Sequence, residues 1–288
     1  MSEDDFPEYI TFPRTFETYK WYKPILVFIT GAIVYIILQV LIFAIFGMTY
    51  GLDAVIQLTQ GYESLNSEVG SYISYLSVVI FLPSLYIASK IVRDRPFSSY
   101  SSSRGGWDWK VFFKSLSIPL VVYLIYETIT SLIRGPVGPN TLTLAFFLIC
   151  LIIIPLQCIA EEYFIRGLIM QTFGSWFKIP LLAIILQSIV FASMHPYSIL
   201  GVLGVFVQGM ILGLLTWRSN GLEVGSALHS VNNLTSAYFV AIGFEISSSV
   251  ISPFDFASTM IVTTISALGL YYVGTRKGWF GEKTEKLM

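Results

Sequence analysis

The sequence has few charged side chains and only two histidines, and both scarcities are informative. Asp, Glu, Lys and Arg make up 12% of the 288 residues, whereas hydrophobic residues make up 55%. A typical soluble domain carries about 25% charged residues. This composition therefore predicts an integral membrane protein. Each histidine, His195 and His229, lies inside an apolar stretch, where burying an ionisable side chain costs free energy and indicates a function.

Other absences exclude whole classes of function. The chain has no basic run and no glycine-rich phosphate loop, and its net charge is -1, so we expect no nucleic-acid partner. The two cysteines, Cys150 and Cys158, share one apolar segment and cannot form a disulfide framework. The first 24 residues are acidic and aromatic, which is unlike a cleaved signal peptide.

The apolar stretches predict how the chain crosses a bilayer. A spanning helix needs about 20 mostly apolar residues. The stretches of this kind are 25–46, 72–92, 111–133, 142–173, 180–196, 199–217, 222–243 and 256–275. The fourth is long for a straight span, and Pro155 predicts a kink within it. We expect an all-α, polytopic integral membrane protein with about eight transmembrane helices, in one domain over residues 1–288. Residues 47–71 would form an external loop and residues 98–108 a polar cytoplasmic loop.

The basic residues are unevenly distributed between the two sides of these spans. With a cytoplasmic N-terminus, 16 of the 17 Lys and Arg residues fall on the cytoplasmic side and only Arg134 on the other. Arg166 is discounted because it belongs to a polar cluster within a span. The bias predicts a multi-pass protein of the cell membrane with both termini in the cytoplasm.

Three of the apolar stretches carry polar side chains, and burying such groups in lipid is expensive. These side chains are Glu161, Glu162, Arg166, His195, His229 and Asn233. Glu162 and Arg166 are four residues apart and can pair along a helix, which leaves Glu161, about 100° away, as the freer carboxylate and candidate base. His229 and Asn233 share a helical face for the same reason. We expect the three stretches to form one cavity that opens toward the cytoplasm.

A depth argument links the first two stretches. Gly174 and Pro180 mark a turn centred near position 177. Glu161 and His195 are nearly equidistant from it along the chain, so in an antiparallel hairpin both lie roughly 24 to 27 Å from the turn. We therefore expect Glu161 and His195 to be neighbours. Further on, Gly209 and Gly213, four residues apart, predict a close contact with another helix.

The polar residues form three motifs that lie in separate predicted helices. In chain order they are Glu161-Glu162-x-x-x-Arg166, Phe191-x-x-x-His195 and His229-x-x-x-Asn233. Together they resemble the CAAX protease and bacteriocin-processing family of intramembrane endopeptidases, over about residues 142–243. The resemblance implies hydrolysis of a peptide bond in a membrane-associated protein or peptide, of CAAX type or bacteriocin type. The family also includes bacterial members linked to bacteriocin immunity.

The resemblance also implies a role for each motif residue. Glu161 and His195 would activate the attacking water, and His229 and Asn233 would stabilise the oxyanion. The supporting residues are Glu162, Arg166 and Phe191. Amide hydrolysis needs a base for the water proton and donors for the developing negative charge, and these residue types supply both. The expected partners are the substrate and the lipid bilayer, and no cofactor is expected.

A zinc-dependent version of the same protease is an alternative, since two histidines and a glutamate form many catalytic zinc sites. Against it, the HExxH pattern is absent, and Glu162, the base such a site would need, is better placed to pair with Arg166. We therefore expect no metal.

Two further alternatives are not enzymes. A proton-coupled transporter also uses intramembrane carboxylates and histidines, although here the polar groups fall almost entirely in the second half of the chain. A silent immunity protein that binds a peptide is the other. Two residues outside the motifs also need an interpretation. Glu127 is an intramembrane acid that would cap the cavity or bond a backbone carbonyl, and Cys158, in an apolar helix, is expected to be an inert thiol.

Overall fold

The structure is a computed structural model that describes residues 8–58, 68–246 and 248–281, and within these ranges it contains helices and no β-strand. A short 3₁₀ helix, Phe12–Thr15, precedes the helices that we number in chain order. They are α1 (Lys23–Tyr50), α2 (Leu52–Leu58), α3 (Glu68–Val79), α4 (Phe81–Val92), α5 (Ser98–Ser101), α6 (Trp109–Ser115), α7 (Ser117–Arg134), α8 (Leu144–Glu162), the π segment (Tyr163–Met170), α9 (Gln171–Phe177), α10 (Pro180–Ser193), α11 (Ile199–Ser219), α12 (Glu223–Ala241) and α13 (Pro253–Arg276).

Six helical stretches in the described chain are long and apolar enough to cross a membrane. They are Lys23–Tyr50, Val69–Val92, Trp109–Arg134, Leu144–Phe177, Ile199–Ser219 and Pro253–Arg276. The prediction of an all-α, polytopic membrane protein is confirmed. The other two predicted spans are helical as well, but they do not meet the same criteria of length and composition.

These two helices, α10 and α12, differ from the other six for separate reasons. Helix α10 has 14 residues and is about 21 Å long, shorter than the roughly 30 Å hydrocarbon core. Helix α12 has 19 residues but a polar composition, and it packs against α6, α7, α8, α11 and α13. Because neighbouring helices rather than lipid surround α12, its side chains need not be apolar.

The segment between the first two spans is more helical than expected. Helix α1 continues to Tyr50, α2 covers Leu52–Leu58, and α3 begins at Glu68. The middle of the predicted external loop, residues 59–67, lies outside the described residues. Lys283 and Lys286, which contribute to the charge bias, lie outside them too.

The long fourth stretch departs from α-helical geometry just after the acidic pair. Helix α8 runs through Pro155 to Glu162, and the π segment follows before α9 completes the stretch. π-helical turns are rare and often occur at functional sites, because the wider turn changes the direction of the side chains. Arg166 lies in the middle of this segment.

The N-terminal segment packs across the π segment and α9. Tyr9 and Ile10 are fully buried, and the Tyr9 hydroxyl donates to the carbonyl of Tyr100. Burial raises the pKa of Tyr9 well above its ordinary value, so this hydroxyl keeps its proton. Gly174 permits the contact, because a Cβ there would meet the Ile10 carbonyl oxygen at 2.5 Å. The segment thus covers one end of the bundle.

Helices α10 and α11 make the close contact that the paired glycines predict. A Cβ on Gly209 would lie 3.0 Å from the Ser188 hydroxyl, and one on Gly213 would lie 2.8 Å from Gln187 Nε2. The Gln187 amide donates to the Gly209 carbonyl across this contact, at 2.9 Å. The contact fixes α11 beside the helix that leads to His195.

Candidate active site

The polar motif residues converge where four elements meet. Glu161 and Glu162 are the last residues of α8, and α12 packs along that helix with His229 and Asn233 near its middle. The π segment and α10 complete the surroundings.

His229 lies between the two adjacent acids. Its Nδ1 is 3.0 Å from Glu162 Oε1, and its Nε2 is 3.5 Å from Glu161 Oε2. The ring is 3% exposed and the Glu162 side chain is fully buried. The spacing in the sequence predicted a pairing of Glu162 with Arg166 only, so the contact of Glu162 with His229 is additional.

The pair of Glu162 and Arg166 is present as its spacing predicts. Arg166 Nη1 donates to Glu162 Oε1 at 2.9 Å, and both side chains are fully buried. Arg166 Nη2 donates to the Gly209 carbonyl at 3.2 Å, and its guanidinium lies 4.6 Å from the centre of the Phe191 ring. A charged pair in such a place needs partners for its donors and acceptors, and among the described residues Glu162 Oε2 and Arg166 Nε have none.

Phe191 forms a wall that joins the two histidines. Its ring is 4.8 Å from that of His195 and 6.1 Å from that of His229, edge-on in both cases. His195 Nδ1 donates to the Phe191 carbonyl at 2.8 Å, because a carbonyl only accepts, and Nε2 is left as the acceptor of the neutral ring. His195 is half-buried.

Glu161 and His195, which the depth argument predicts to be neighbours, are not bonded to each other. In the described chain, no hydrogen bond or ion pair joins their side chains. Helix α10 ends at Ser193, so His195 lies just beyond its last residue. His195 instead reaches the cluster through the Phe191 ring.

Gln157 belongs to the cluster although the motifs do not include it. Its Nε2 donates to Glu161 Oε2 at 2.7 Å, and its Oε1 accepts from Asn233 Nδ2 at 3.4 Å. Asn233 Nδ2 is also 3.3 Å from His229 Nε2, which puts both residues on one face as predicted. A signal for Gln157 was available in the sequence, since it precedes Glu161 by one helical turn.

The cluster does not open at the end where α12 begins, the end that the charge bias predicts to be cytoplasmic. Residues Gly221 to Val231 are buried, whereas Asn233 and His195 are half-buried. The segment 98–108 covers the start of α12: the Ser101 carbonyl accepts from the Leu222 amide, and Arg104 pairs with Glu223 at 2.6 Å. These contacts close that end of the cluster, and the side of the membrane that it faces stays a prediction.

Of the two residues outside the motifs, Glu127 lies away from the cluster, whereas Cys158 contacts it. Glu127 is 4% exposed and lies beside Glu245, beyond the end of α12, rather than against Glu161. No hydrogen bond joins its side chain to a backbone carbonyl among the described residues. Cys158 is fully buried, and its sulfur lies 3.6 Å from Gln157 Oε1.

A protein-held metal ion needs several ligand side chains close together. Glu161 Oε2 and His229 Nε2 lie 3.5 Å apart, but within residues 8–58, 68–246 and 248–281 no group of three His, Cys, Asp or Glu residues is arranged to hold a metal ion. His195 donates from Nδ1 to the Phe191 carbonyl, which leaves its Nε2 free. The cluster offers carboxylates, which can accept protons, beside imidazole and amide nitrogens that donate hydrogen bonds.

The structure thus defines an all-helical, polytopic membrane protein with a buried cluster of carboxylates, histidine and amides. Residues 142–235, which contain the whole cluster, match the family described as Type II CAAX prenyl endopeptidase Rce1-like, a family of proteases. The predicted resemblance is confirmed over this part of the chain.

The curated relatives include "Uncharacterized protein YyaK" of Bacillus subtilis (strain 168), which is 22% identical over 188 residues. The match covers 60% of this chain and 62% of that relative's length. No solved structure matches the chain.

Proposed function

We propose that the protein is an intramembrane endopeptidase that hydrolyses a peptide bond of a membrane-associated protein or peptide. The observation that carries the proposal is the position of His229, between Glu161 and Glu162 and beside Asn233, in the segment that matches the protease family. Proton acceptors and proton donors lie within one side chain's reach there, which peptide hydrolysis requires.

Glu161 is the general base in this proposal. Its carboxylate is 9% exposed and is held by Gln157, whereas Glu162 is fully buried and held by Arg166 and His229. Glu161 takes a proton from water as the water oxygen bonds to the substrate's carbonyl carbon. The same proton passes to the amide nitrogen as the C–N bond breaks, so the carboxylate is regenerated.

His195 orients the attacking water. Because its Nδ1 donates to the Phe191 carbonyl, its Nε2 is the nitrogen that accepts a hydrogen bond. The ring is half-buried and packs edge-on against Phe191, which holds its plane. Water reaches this ring more easily than it reaches His229.

His229 and Asn233 stabilise the oxyanion. Their nitrogens, Nε2 and Nδ2, lie 3.3 Å apart, so hydrogens on both can point to one oxygen atom. Carboxylate oxygens face both ring nitrogens of His229, and because carboxylates only accept, this arrangement favours a ring that donates from both nitrogens. The single Nε2 hydrogen turns to the oxyanion once Glu161 carries the proton of the water, because a protonated carboxyl is a weaker acceptor than a carboxylate. One such donor is typically worth about 10² to 10³ in kcat.

A comparison of membrane peptides tests the proposal and does not require an identified substrate. Cells that produce the wild-type protein, Glu161→Ala or Glu127→Gln would be compared by mass spectrometry of their membrane fractions. We expect cleavage products in the wild-type and Glu127→Gln samples that are missing with Glu161→Ala. Identical peptide sets in all three samples, with the proteins present at equal levels, would overturn the proposal.

The type of substrate follows from a second assay. Purified protein in liposomes would be given an internally quenched peptide with a farnesylated CAAX terminus, its unprenylated counterpart, and a bacteriocin precursor peptide. We propose that cleavage is limited to CAAX-type or bacteriocin-type peptides. Faster cleavage of the farnesylated peptide would assign the CAAX type.

A further inference from the structure

A continuous chain of hydrogen bonds connects Glu161 with residues that no motif contains. Gln157 Nε2 donates to Glu161 Oε2 at 2.7 Å, and Gln157 Oε1 accepts from Asn233 Nδ2 at 3.4 Å. Asn233 Oδ1 in turn accepts from Asn232 Nδ2 at 2.9 Å. Asn232 Oδ1 accepts from the Tyr123 hydroxyl at 3.0 Å.

The chain ends on a fourth helix. The Tyr123 oxygen lies 2.8 Å from the Thr263 hydroxyl oxygen. Since the single proton of Tyr123 is used on Asn232, Thr263 donates and Tyr123 accepts. The hydrogen bonds thus run from α13 through α7 and α12 to α8, and Tyr123 and Thr263 are 2% and 0% exposed.

The carboxylate of Glu161 sets the direction of the whole chain. An ionised carboxylate only accepts hydrogen bonds, so the Gln157 side chain must turn its NH₂ group to Glu161 and its oxygen to Asn233. The Asn233 amide must then turn its NH₂ group to Gln157 and its oxygen to Asn232. The same reasoning gives Asn232 an oxygen that faces Tyr123.

If the oxygen and the NH₂ group of the Asn233 amide exchanged places, two hydrogen bonds would be lost. Its oxygen would face the Gln157 oxygen, and its NH₂ group would face the NH₂ group of Asn232. Unmatched polar contacts in a partly buried site cost more than the same contacts in water. The chain holds Asn233 with Nδ2 on the side of His229.

We propose that Tyr123 and Asn232 are positioning residues that hold the Asn233 amide in the orientation for oxyanion binding. This inference rests on the proposed function of Asn233. Neither residue touches the reacting atoms, so both act through the direction of one N–H bond. Removing either should lower kcat and leave KM unchanged, because substrate binding does not depend on that direction.

Tyr123→Phe is the first test, and Tyr126→Phe is its matched control. Tyr126 lies on the same helix and its hydroxyl lies 2.9 Å from that of Ser258 on α13, but no hydrogen bond joins it to Asn232 among the described residues. Both variants lose one hydroxyl between the same two helices. We expect Tyr123→Phe to lower kcat roughly tenfold, as the loss of one hydrogen bond does, and Tyr126→Phe to leave kcat unchanged.

Asn232→Asp separates positioning from packing. The side chain keeps its shape and still accepts from Tyr123, but its second oxygen faces the oxygen of Asn233. We expect a larger loss of kcat than in Tyr123→Phe, with KM and the amount of folded protein unchanged. In an Asn233→Ala background, Tyr123→Phe should cause no further loss, because the amide that it positions is gone.

A spectroscopic measurement makes the inference testable even without activity. Protein labelled with ¹⁵N at asparagine and studied in detergent micelles should show the Asn233 NH₂ signals shifted in Tyr123→Phe and unshifted in Tyr126→Phe. If the wild type cleaves nothing, the proposed function fails while these signals still report the positioning. If the wild type is active but Tyr123→Phe and Tyr126→Phe behave alike in kcat and in the signals, the inference is overturned and the proposed function stands.

Discussion

Glu161 and Glu162 are adjacent in the chain, yet their side chains have different surroundings. Glu162 is fully buried, and its Oε1 faces Arg166 and His229. The Glu161 side chain points about 100° away from that of Glu162 around the helix axis. It is slightly exposed and accepts a hydrogen bond from the neutral Gln157 amide. Glu161 faces Gln157 and His229 and pairs with no guanidinium, so it can exchange a proton at lower cost than Glu162, which neutralises the buried Arg166.

Glu161→Gln should abolish proteolysis and leave the protein folded, because it removes the base and keeps nearly the same shape. The expected loss in kcat/KM is at least about 10²-fold, the scale of general-base removal. Steady-state kinetics and the thermal unfolding temperature would be measured together. Glu127→Gln, a buried acid outside the cluster, is the control and should stay active. Near wild-type turnover in Glu161→Gln would show that another group is the base.

Asn233→Ala should lower kcat by about 10² to 10³-fold with little change in KM, because an oxyanion donor acts mainly in the transition state. Asn140→Ala removes an exposed amide outside the cluster and serves as the control. Full kinetic curves for both variants separate the two constants. A rise in KM at constant kcat would instead make Asn233 a substrate-binding residue.

At the scale of elements, the end of α8 and the π segment act as one unit that carries two opposite charges into the bundle. Arg166, within the π segment, holds Glu162 on α8 and the Gly209 carbonyl on α11. Phe191 on α10 covers the guanidinium, at 4.6 Å. One arginine thereby joins three elements around the cluster, so its loss should affect folding more than chemistry.

Arg166→Ala should reduce the yield of folded protein, because Glu162 would keep a buried charge without its partner. Breaking a buried pair in this way typically costs about 3 to 5 kcal/mol. Arg166→Ala with Glu162→Gln should recover part of the yield, as measured by size-exclusion chromatography of detergent extracts. The recovered double variant should have low activity, since Glu162 also holds His229. Absence of rescue would mean that Arg166 has another essential partner.

At the scale of the whole molecule, six long apolar helices accompany one polar helix, α12, which carries His229 and Asn233. The N-terminal segment and the segment 98–108 cover one end of the bundle, through Tyr9, Arg104 and their partners. The half-buried side chains of the cluster lie on the other half of α12. This asymmetry gives the cluster one covered side and one side whose side chains are half-buried.

Thoroughly chelated protein should remain active, because the proposed mechanism takes its nucleophile from water activated by Glu161 and His195 rather than by a metal ion. Activity after chelation and elemental analysis of the active, purified protein check this. One zinc per chain, lost together with activity in His195→Ala, would contradict the prediction. Glu161 would then be a ligand instead of a base.

The sequence by itself determined the class of protein and the contacts within single helices. Composition alone predicts membrane helices, since few charges and long apolar runs leave no other class of fold. The contacts of Glu162 with Arg166 and of His229 with Asn233 follow from a spacing of four residues, because helical geometry is local and needs no partner. The contact of Gln157 with Glu161 could be predicted by the same rule, because these two residues are also four positions apart.

Only the tertiary structure decided which helices meet and at what height. His229 lies between two acids that precede it by 67 and 68 positions, and this depends on how α12 packs on α8. The position of His195 depends on where α10 ends, and the closed end depends on the segment 98–108. The hydrogen-bond chain from Thr263 to Glu161 crosses four helices. Such contacts are set by packing between distant segments, and no periodicity within one helix encodes them.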